Sequence, residues 1–363
     1  MKKSLPLFSK RVTAFKRIRR GYYSLFLLTF LYLLSFFLPL LVNNKALAVC
    51  YKGNYYFPAF RDLISPFYPV REYEAAFFNQ KNEDNTPVLG EPDYRKLKKN
   101  FEESGEKDRV ILPPYPYSPV EHLLDEIKGS PPSAPDSGHF FGTDGQGRDV
   151  FARLVYGFRI SMTFALWVTL CSFFTGTVIG GILGYFGRWI DLFGVRCIEI
   201  FSGIPFLYMT MILSSFLQPS FIMLSTLVIL MGGWIGIAYY MRGEFYREKA
   251  KEYVLSAKAL GAGNMRIMFR HILPNAMTPL ITFFPFALVG NIGALVSLDF
   301  MGLGLKAPTP SWGELLNQGA GDIQYWWLVA FPLTALFLTL LMITFIGESL
   351  RDAFDPKPAA MIQ

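Results

Sequence analysis

Residues 160–187 read ISMTFALWVTLCSFFTGTVIGGILGYFG, a stretch of 28 residues that contains no charged side chain. An α-helix rises about 1.5 Å per residue, so about 20 apolar residues cross the roughly 30 Å hydrocarbon core of a bilayer. That core contains no water, and a spanning backbone must therefore satisfy its own hydrogen bonds, as a helix does. This stretch predicts a transmembrane helix.

Four further uncharged stretches reach spanning length: Tyr22–Val42, Ile200–Met241, Ile272–Leu298 and Ile323–Gly347. Gln218-Pro219-Ser220 divides Ile200–Met241 into two segments of about 20 residues each. The chain of 363 residues is 52% hydrophobic and 17% charged, whereas about 25% of the residues in a soluble domain are charged. The sequence therefore predicts an all-α integral membrane protein with six transmembrane helices.

The positions of the basic residues predict the orientation. Eight of the first 21 residues are basic and none is acidic, and seven Lys or Arg residues lie in 242–275, between the fourth and fifth predicted spans. The short loops on the other side carry one basic residue, Lys306. By the positive-inside rule both termini and 242–275 are cytoplasmic. The net charge of +7 is thus interpreted as a topology signal, and no nucleic-acid partner is expected.

These spans divide the chain into five predicted parts. They are a basic cytoplasmic N-terminus (1–21), a first transmembrane helix (22–42), a periplasmic loop (43–159), a five-helix transmembrane core (160–347) that includes the inner loop 242–275, and a cytoplasmic tail (348–363). Leu47-Ala48-Val49-Cys50 also resembles the end of a cleaved lipoprotein signal. The apolar region of a signal peptide is about 7–15 residues long, shorter than Tyr22–Val42, so we expect no cleavage.

The predicted periplasmic loop is rich in Tyr, Phe and Pro and has few Ile, Leu or Val residues between 65 and 108. We therefore expect it to bury no large core of its own. Two interpretations remain open: an extended segment that covers the rest of the protein, and a docking surface or lid.

The end of this loop has helical periodicity. Val150, Phe151, Leu154, Val155 and Phe158 fall on one helical stripe, with Arg148, Asp149, Arg153 and Arg159 away from it. This pattern predicts an amphipathic helix that lies on the outer membrane surface. Gly142-Thr143-Asp144-Gly145 is interpreted as the turn and cap that begin it.

Small residues recur at four-residue spacing in the second predicted span, at Ser172, Gly176, Gly180 and Gly184. Small residues at that period allow another helix to approach closely, and we interpret them as a helix-packing stripe.

The sequence contains no pattern typical of an enzyme. It has three scattered histidines (His122, His139 and His271), no zinc-protease or serine-hydrolase motif, and no phosphate-binding loop for ATP. The three cysteines, Cys50, Cys171 and Cys197, form no disulfide framework or metal-ligand pattern. We therefore predict no catalytic residue, no metal site and no cofactor in this chain.

Acidic residues lie only at the edges of the predicted spans, at Glu199, Asp299 and Glu348. Carriers driven by ion gradients commonly place ionisable groups in mid-membrane, so this distribution favours a transport pathway that takes its energy from a partner. A carrier that uses an ion gradient and a non-transporting scaffold or receptor remain the alternatives.

Residues 251–275 read KEYVLSAKALGAGNMRIMFRHILPN and predict a short helix, a Gly-Ala-Gly-Asn turn and a second short helix. A helix that presents the small residues Ser256, Ala257 and Ala259 can fit a groove on another protein. An ordinary solvated loop helix is the other interpretation.

This segment resembles the EAA loop of ATP-binding-cassette importer permeases of the dipeptide and oligopeptide family. Gly261, Leu273 and Pro274 match in register, Ser256 replaces the first alanine, and Leu255 stands at the glutamate position. Glu252 belongs to the E-Y-V form of the motif. The resemblance implies that the following residues couple the chain to an ATPase: Glu252, Tyr253, Ser256, Ala257, Ala259, Leu260, Gly261 and Pro274.

Other matches follow in the family's order. Before the second span, the chain is similar to a periplasmic family motif at Gly142, Thr143, Asp144, Gly147, Arg148 and Asp149. Gly184–Gly187, 300–313 and 350–356 resemble further family segments, and the long outer loop is similar to the microcin C (Yej-type) subgroup. The resemblance implies a MetI-like type I permease fold and a role as the C-type permease in peptide import. The implied partners are a second, B-type permease, ATPase subunits that bind ATP and Mg, and a periplasmic peptide-binding protein.

Overall fold

The computed structural model describes residues 7–64, 73–80, 90–104, 108–127 and 129–354. The chain forms two compact units. We call residues 1–29, 161–307 and 336–363 the core unit, and residues 30–160 and 308–335 the loop unit. Within the predicted parts, 1–6, 65–72, 81–89, 105–107, 128 and 355–363 lie outside the described residues.

Helices dominate the described chain. In order they are α1 (Leu7–Arg17), α2 (Arg19–Ser35), α3 (Leu38–Leu41), α4 (Pro58–Ile64), α5 (Tyr94–Ser104), α6 (Val150–Phe186), α7 (Arg188–Ser202), α8 (Phe206–Phe216), α9 (Phe221–Val228), α10 (Ile235–Lys249), α11 (Glu252–Ala259), α12 (Asn264–Arg266), α13 (Leu273–Phe300), α14 (Trp312–Ala320) and α15 (Trp326–Phe354). Short 3-10 segments occupy Ala75–Phe78 and Ile323–Tyr325, and π-helical segments occupy Ile229–Gly233 and Ile267–Ile272.

Within the described residues, three helical stretches are long and apolar enough to cross a membrane: Val150–Phe186, Leu280–Phe300 and Ile323–Phe354. The number rises to five if each of two bent pairs is one span, α7 with α8 (67°) and Phe221–Gly233 with α10 (44°). The predicted first span, Tyr22–Val42, is divided between α2, of 17 residues, and α3. The helical prediction holds for these segments, whereas six spans remain a prediction.

The predicted break at Gln218-Pro219-Ser220 falls between α8 and α9, where Ser220 Oγ accepts the backbone N–H of Met223 and caps α9. The segment between the second and third predicted spans is helical in the structure. Gly187, at φ +62°, ends α6, and α7 begins at Arg188, so the basic residues Arg188 and Arg196 of this connection lie on a helix.

The loop unit contains a small antiparallel sheet, which corrects the all-α prediction. Its strands β1 (Ala48–Tyr51), β2 (Asn54–Tyr56) and β3 (Arg109–Ile111) lie in the order β2-β1-β3. Val49 pairs with Tyr56 on one side and with Val110 on the other.

A buried cluster packs between this sheet and α5, so the prediction that the loop buries no large core of its own is wrong. The cluster comprises Ala46, Val49, Tyr51, Phe78, Tyr94, Leu97, Phe101 and Val110. The rings of Tyr51 and Phe101 stack at 6.0 Å between centroids. Aromatic side chains bury about 150–250 Å² each, so a few of them supply the buried surface that the scarce Ile, Leu and Val residues do not.

The predicted separate amphipathic helix before the second span is absent from the described chain. Its residues form the beginning of α6, a single helix of 37 residues. The helix begins at Val150, and Asp149 Oδ1 accepts the backbone N–H of Ala152 at 2.8 Å. Asp149, rather than the predicted 142–145 turn, therefore caps it.

The stripe of small residues on α6 packs against α10 in the core unit. A Cβ added to Gly176 would lie 2.7 Å from the carbonyl oxygen of Trp234, and one added to Gly180 or Gly184 would meet the carbonyl oxygen of Ala238 or Arg242. A Cβ added to Gly233 would in turn meet Ser172 Oγ. Since these backbones are in direct contact, only small residues fit along this line.

Candidate functional sites

The segment 251–275, which we call the coupling segment, forms the predicted helix, turn and second helix. Gly261, at φ +82°, ends α11. The N–H of Gly261 bonds to the carbonyl oxygen of Lys258 at 3.0 Å, and the N–H of Ala262 to that of Ala257 at 3.0 Å. These two bonds form a Schellman motif, in which the residue with positive φ is usually glycine because it has no Cβ. The positive φ that this turn requires therefore explains why the family motif has a glycine at position 261.

One face of α11 packs on the protein itself. Val254 and Ala257 are buried, and Val254 joins Ile267, Met268 and Ile272 in a core-unit cluster that also includes Met241 and Phe245. Ala257 is only 9% exposed, so its side chain is not presented on the surface of this chain, and its role in coupling stays a prediction. Glu252, Tyr253, Ser256, Ala259, Gly261 and Pro274 are exposed.

The other face of the coupling segment exposes apolar side chains. Leu260 is 88% exposed, and Leu255, Met265 and Phe269 are each more than half exposed. Exposed apolar side chains that cluster in one segment are typical of a protein interaction surface. The family glutamate position, Leu255, thus contributes apolar contact area rather than charge.

A hydrogen-bond network joins the coupling segment to its neighbours, through the predicted residue Tyr253 and through Glu248 and Asn275, which the sequence did not single out. Glu248, which is 2% exposed on α10, accepts the Lys251 ammonium and the Tyr253 hydroxyl at 2.6 Å each. Asn275 Nδ2, on α13, donates to the Tyr253 oxygen at 3.2 Å. Burial and the hydrogen bond to Glu248 raise the pKa of Tyr253 to about 12.

Two further contacts fix the start of α7 and the end of α6 against α10. Asp191 forms a bidentate pair with the Arg242 guanidinium and accepts the Tyr246 hydroxyl at 2.7 Å. Lys249 Nζ donates to the carbonyl oxygen of Tyr185, whose hydroxyl donates to Asn264 Oδ1 at 2.8 Å. The family segment Gly184–Gly187 and Asp191 therefore braces the helices that flank the coupling segment.

A large apolar cavity of about 930 Å³ opens in the core unit beside the coupling segment. It is lined by side chains of α6, α10, α13 and the coupling segment, among them Phe174, Phe245 and Phe269. A peptide main chain needs hydrogen-bond partners when it leaves water, and among the lining side chains that the structure describes only Thr177 carries a hydroxyl. We therefore do not assign this cavity as a peptide site.

The periplasmic motif forms a buried ion cluster in the loop unit. Arg148 contacts Asp144 at 2.6 Å and Glu314 at 2.7 Å, and Arg153 pairs with Glu314 and lies 3.4 Å from Asp144. Asp144, Arg148 and Arg153 are at most 1% exposed. The two arginines and two carboxylates balance one another, as buried charges must. Arg148 and Arg153, predicted to lie away from the apolar stripe of an amphipathic helix, are therefore buried in an ion cluster instead.

The glycines and threonine of the motif shape the backbone around this cluster. Gly142 and Gly147 both adopt φ +72°. Thr143 Oγ1 accepts the N–H of Ser133 at 2.9 Å, and its carbonyl oxygen accepts Trp327 Nε1–H at 3.1 Å. Asp144 Oδ1 accepts the backbone N–H groups of Gln146 and Arg148 at 2.9 Å each. The motif is therefore a turn that fixes the carboxylate of Asp144 within the ion cluster.

Asp149, which follows Arg148 in the motif, contacts two further side chains, Tyr115 and His139. Its Oδ2 accepts the Tyr115 hydroxyl at 2.7 Å and lies 2.9 Å from His139 Nδ1. Burial alone would lower the pKa of His139, but the hydrogen bond and charge of Asp149 outweigh it, and the pKa is raised. Within the described residues, no group of three His, Cys, Asp or Glu side chains is arranged to hold a metal ion.

Long apolar helices together with a segment that exposes apolar side chains are typical of a membrane protein with an interaction surface. Residues 176–359 match the family described as the binding-protein-dependent transport system inner membrane component. The chain belongs to this family, as its near full-length relatives also show.

Three relatives show the extent of the similarity. The inner membrane ABC transporter permease protein YejE of Escherichia coli K12 is 39% identical, over 99% of this chain and 100% of its own length. The peptidoglycan transport system permease protein YejE of Agrobacterium fabrum is 37% identical, over 97% and 93%. The dipeptide transport system permease protein DppC of Bacillus subtilis is 38% identical, over 68% and 77%. A chain of the inward-facing MetNI methionine transporter is similar at TM-score 0.42 and 18% identity, covering 56% of this chain and 97% of its own length.

Proposed function

We propose that this chain is the C-type permease of an ATP-driven peptide importer, and that its coupling segment is the place where an ATPase subunit docks. Its relatives are permease subunits of transport systems, so the chain is a transport subunit rather than an enzyme. The observation that carries the docking proposal is the exposed apolar face of Leu255, Leu260, Met265 and Phe269. It lies in the segment whose glycine, leucine and proline match the family.

The same proposal implies the other subunits of the importer. A second, B-type permease completes the pathway, and a periplasmic binding protein delivers a peptide, such as an oligopeptide or a microcin C-like compound. ATP and Mg are bound by the ATPase subunits. Closure of those subunits moves the coupling segment and switches the pathway between inward- and outward-facing states, a rigid-body change at an interface.

The proposed topology has six spans, with both termini and 242–275 in the cytoplasm and 43–159 in the periplasm. Single-cysteine variants in a background without Cys50, Cys171 and Cys197 test it with a membrane-impermeant maleimide. Leu260→Cys should react only in inverted membrane vesicles, and Tyr55→Cys only in right-side-out vesicles. Reaction of both from the same side would contradict the topology.

The docking proposal is tested with two glycines of the same turn. Gly261→Val places a β-branched residue at φ +82°, whereas Gly263 has φ −69° and no atom within 4 Å of an added Cβ. Gly261→Val should lose ATPase co-purification and peptide-stimulated ATP hydrolysis while it still inserts in the membrane. Gly263→Val should retain both. Unchanged ATPase binding in Gly261→Val would show that the coupling assignment is wrong.

Reconstitution in liposomes separates this function from its two alternatives. An importer permease supports uptake only with its permease partner, its ATPases and ATP. A carrier driven by an ion gradient would take up peptide as this chain alone, and a scaffold or receptor would leave peptide uptake normal in cells that lack it.

A further inference from the structure

The Tyr253 hydroxyl lies at the meeting point of three helices. It donates to Glu248 Oε2 on α10 at 2.6 Å and accepts from Asn275 Nδ2 on α13 at 3.2 Å. Tyr253 itself is the second residue of α11. One oxygen atom thus links the helix that leads into the coupling segment, the coupling helix, and the helix that leaves it.

Each partner of this hydroxyl is itself held in place. Glu248 is 2% exposed, and its Oε1 accepts Lys251 Nζ at 2.6 Å and lies 3.6 Å from the Arg247 guanidinium. Asn275 Nδ2 uses its second hydrogen on the carbonyl oxygen of His271 at 3.0 Å. A buried carboxylate needs such compensation, so Glu248 offers Tyr253 an acceptor that is fixed and charged.

The apolar packing of α11 lacks direction. Val254 rests on Ile267, Met268 and Ile272 through apolar surface, and apolar burial is non-directional. Backbone hydrogen bonds hold the two ends of α11, such as that from the Lys251 N–H to the Glu248 carbonyl oxygen at 3.1 Å, but the apolar contact alone does not fix the rotation of the helix on its cluster. A charge-assisted hydrogen bond has defined length and angle, and it therefore fixes the direction of α11.

We infer that Tyr253 is a positioning residue whose hydroxyl, bridging Glu248 and Asn275, makes α11 move as one body with α10 and α13. This inference rests on the proposed docking of an ATPase on α11. It assigns to Tyr253 the transmission of that movement rather than the docking itself. The surface at Leu260 binds the partner, and the hydroxyl bridge carries the displacement to the membrane helices.

The ordinary pKa of tyrosine, about 10, is raised at Tyr253 by burial and by Glu248. The hydroxyl therefore remains protonated at neutral pH and can donate to Glu248. Deprotonation of Tyr253 does not interrupt the bridge near neutral pH.

The test uses the complete transporter in proteoliposomes and measures peptide imported per ATP hydrolysed. Tyr253→Phe removes one oxygen atom and keeps the ring. We expect normal assembly, ATP hydrolysis within about twofold of wild type, and a fall of roughly tenfold in peptide per ATP. Asn275→Ala should lower the same ratio, and the double variant should be no worse than Tyr253→Phe, because both changes break one bridge. Tyr239→Phe is the matched control, since Tyr239 lies on α10 and is 38% exposed against 37% for Tyr253.

A ratio in Tyr253→Phe equal to that of wild type would overturn the inference. Loss of ATPase association in this variant would also overturn it, because the hydroxyl would then serve docking or folding. Both results leave the proposed function intact. That function fails separately if the wild-type chain neither retains an ATPase nor requires ATP for uptake.

Discussion

The coupling segment and the ion cluster of the loop unit both resemble family motifs, but they differ in how far their side chains are buried and paired within this chain. In the ion cluster, Asp144, Arg148, Arg153 and Glu314 compensate one another's charges, and the first three are almost fully buried. In the coupling segment, one face is buried and the other leaves large apolar side chains in solvent. The charges of the first motif are paired within the single chain, whereas the second motif leaves an apolar face exposed.

This difference indicates that the residues of the ion cluster stabilise the fold, whereas the exposed residues of the coupling segment serve binding. A closed ion cluster fixes the conformation of the chain that contains it, and damage to it should appear as lost stability. An open apolar face adds little to the stability of the chain, and damage to it should appear only when the partner is present. The predictions below test this separation.

The largest effect is expected in the ion cluster. Asp144→Ala leaves Arg148 and Arg153 with one carboxylate and removes the acceptor of two backbone N–H groups. Loss of one member of a buried ion pair costs about 3–5 kcal/mol. We expect hydrogen exchange at 144–153 to accelerate by at least a hundredfold. Asp144→Asn keeps a side-chain oxygen that can accept these hydrogen bonds, so its hydrogen exchange at 144–153 should accelerate clearly less. Equal exchange in the wild type and Asp144→Ala would show that the cluster does not stabilise the fold.

A smaller effect, confined to the assembled complex, is expected at the coupling segment. Leu260 is 88% exposed, so Leu260→Asp should change the stability of the isolated chain by less than about 0.5 kcal/mol. Burial of a leucine in an interface contributes about 1.5–3 kcal/mol. The ATPase should therefore bind roughly 10- to 100-fold more weakly, as measured by titration of the detergent-solubilised permease pair.

The control for this variant is Leu124→Asp in the loop unit, where the side chain is 56% exposed and lies outside the candidate membrane spans. Its ATPase affinity should equal that of wild type. If both variants weaken binding equally, general surface polarity rather than the Leu260 face would control the interaction.

The sequence predicted features that are determined within one segment better than features that depend on residues far apart in the chain. Uncharged length predicted the helices of α6, α13 and α15, because spanning a bilayer imposes a local requirement on each segment. The turn at Gly261 was also local, since one residue with positive φ determines it. The bends fall at residues typical of helix kinks, Gly203 and Pro205 between α7 and α8 and Gly232 before α10. The proline is visible in the sequence, whereas the size of each bend is not.

The ion cluster shows what a local pattern misses. Arg153 was predicted to lie on the polar side of an amphipathic helix because it falls away from the apolar stripe. Its partner Glu314 lies 161 positions further along the chain, and no periodicity connects the two. The sheet of the loop unit was missed for a related reason: its three- and four-residue strands are too short to show alternation, and β1 pairs with β3 more than 50 residues away.

The smallest effect is expected from pH, and it concerns His139 beside the ion cluster. The pKa of His139 is raised in the folded protein above the ordinary value of about 6.5. The folded state therefore binds the proton more tightly than the unfolded state. The resulting stability is fully present below about pH 6.5 and is lost as pH rises through the raised pKa. Protection of the Ala152 amide, which donates to Asp149, should fall modestly over that window after correction for intrinsic exchange. The same amide in His139→Gln should show no such fall, and an equal fall in both proteins would assign the titration to another group.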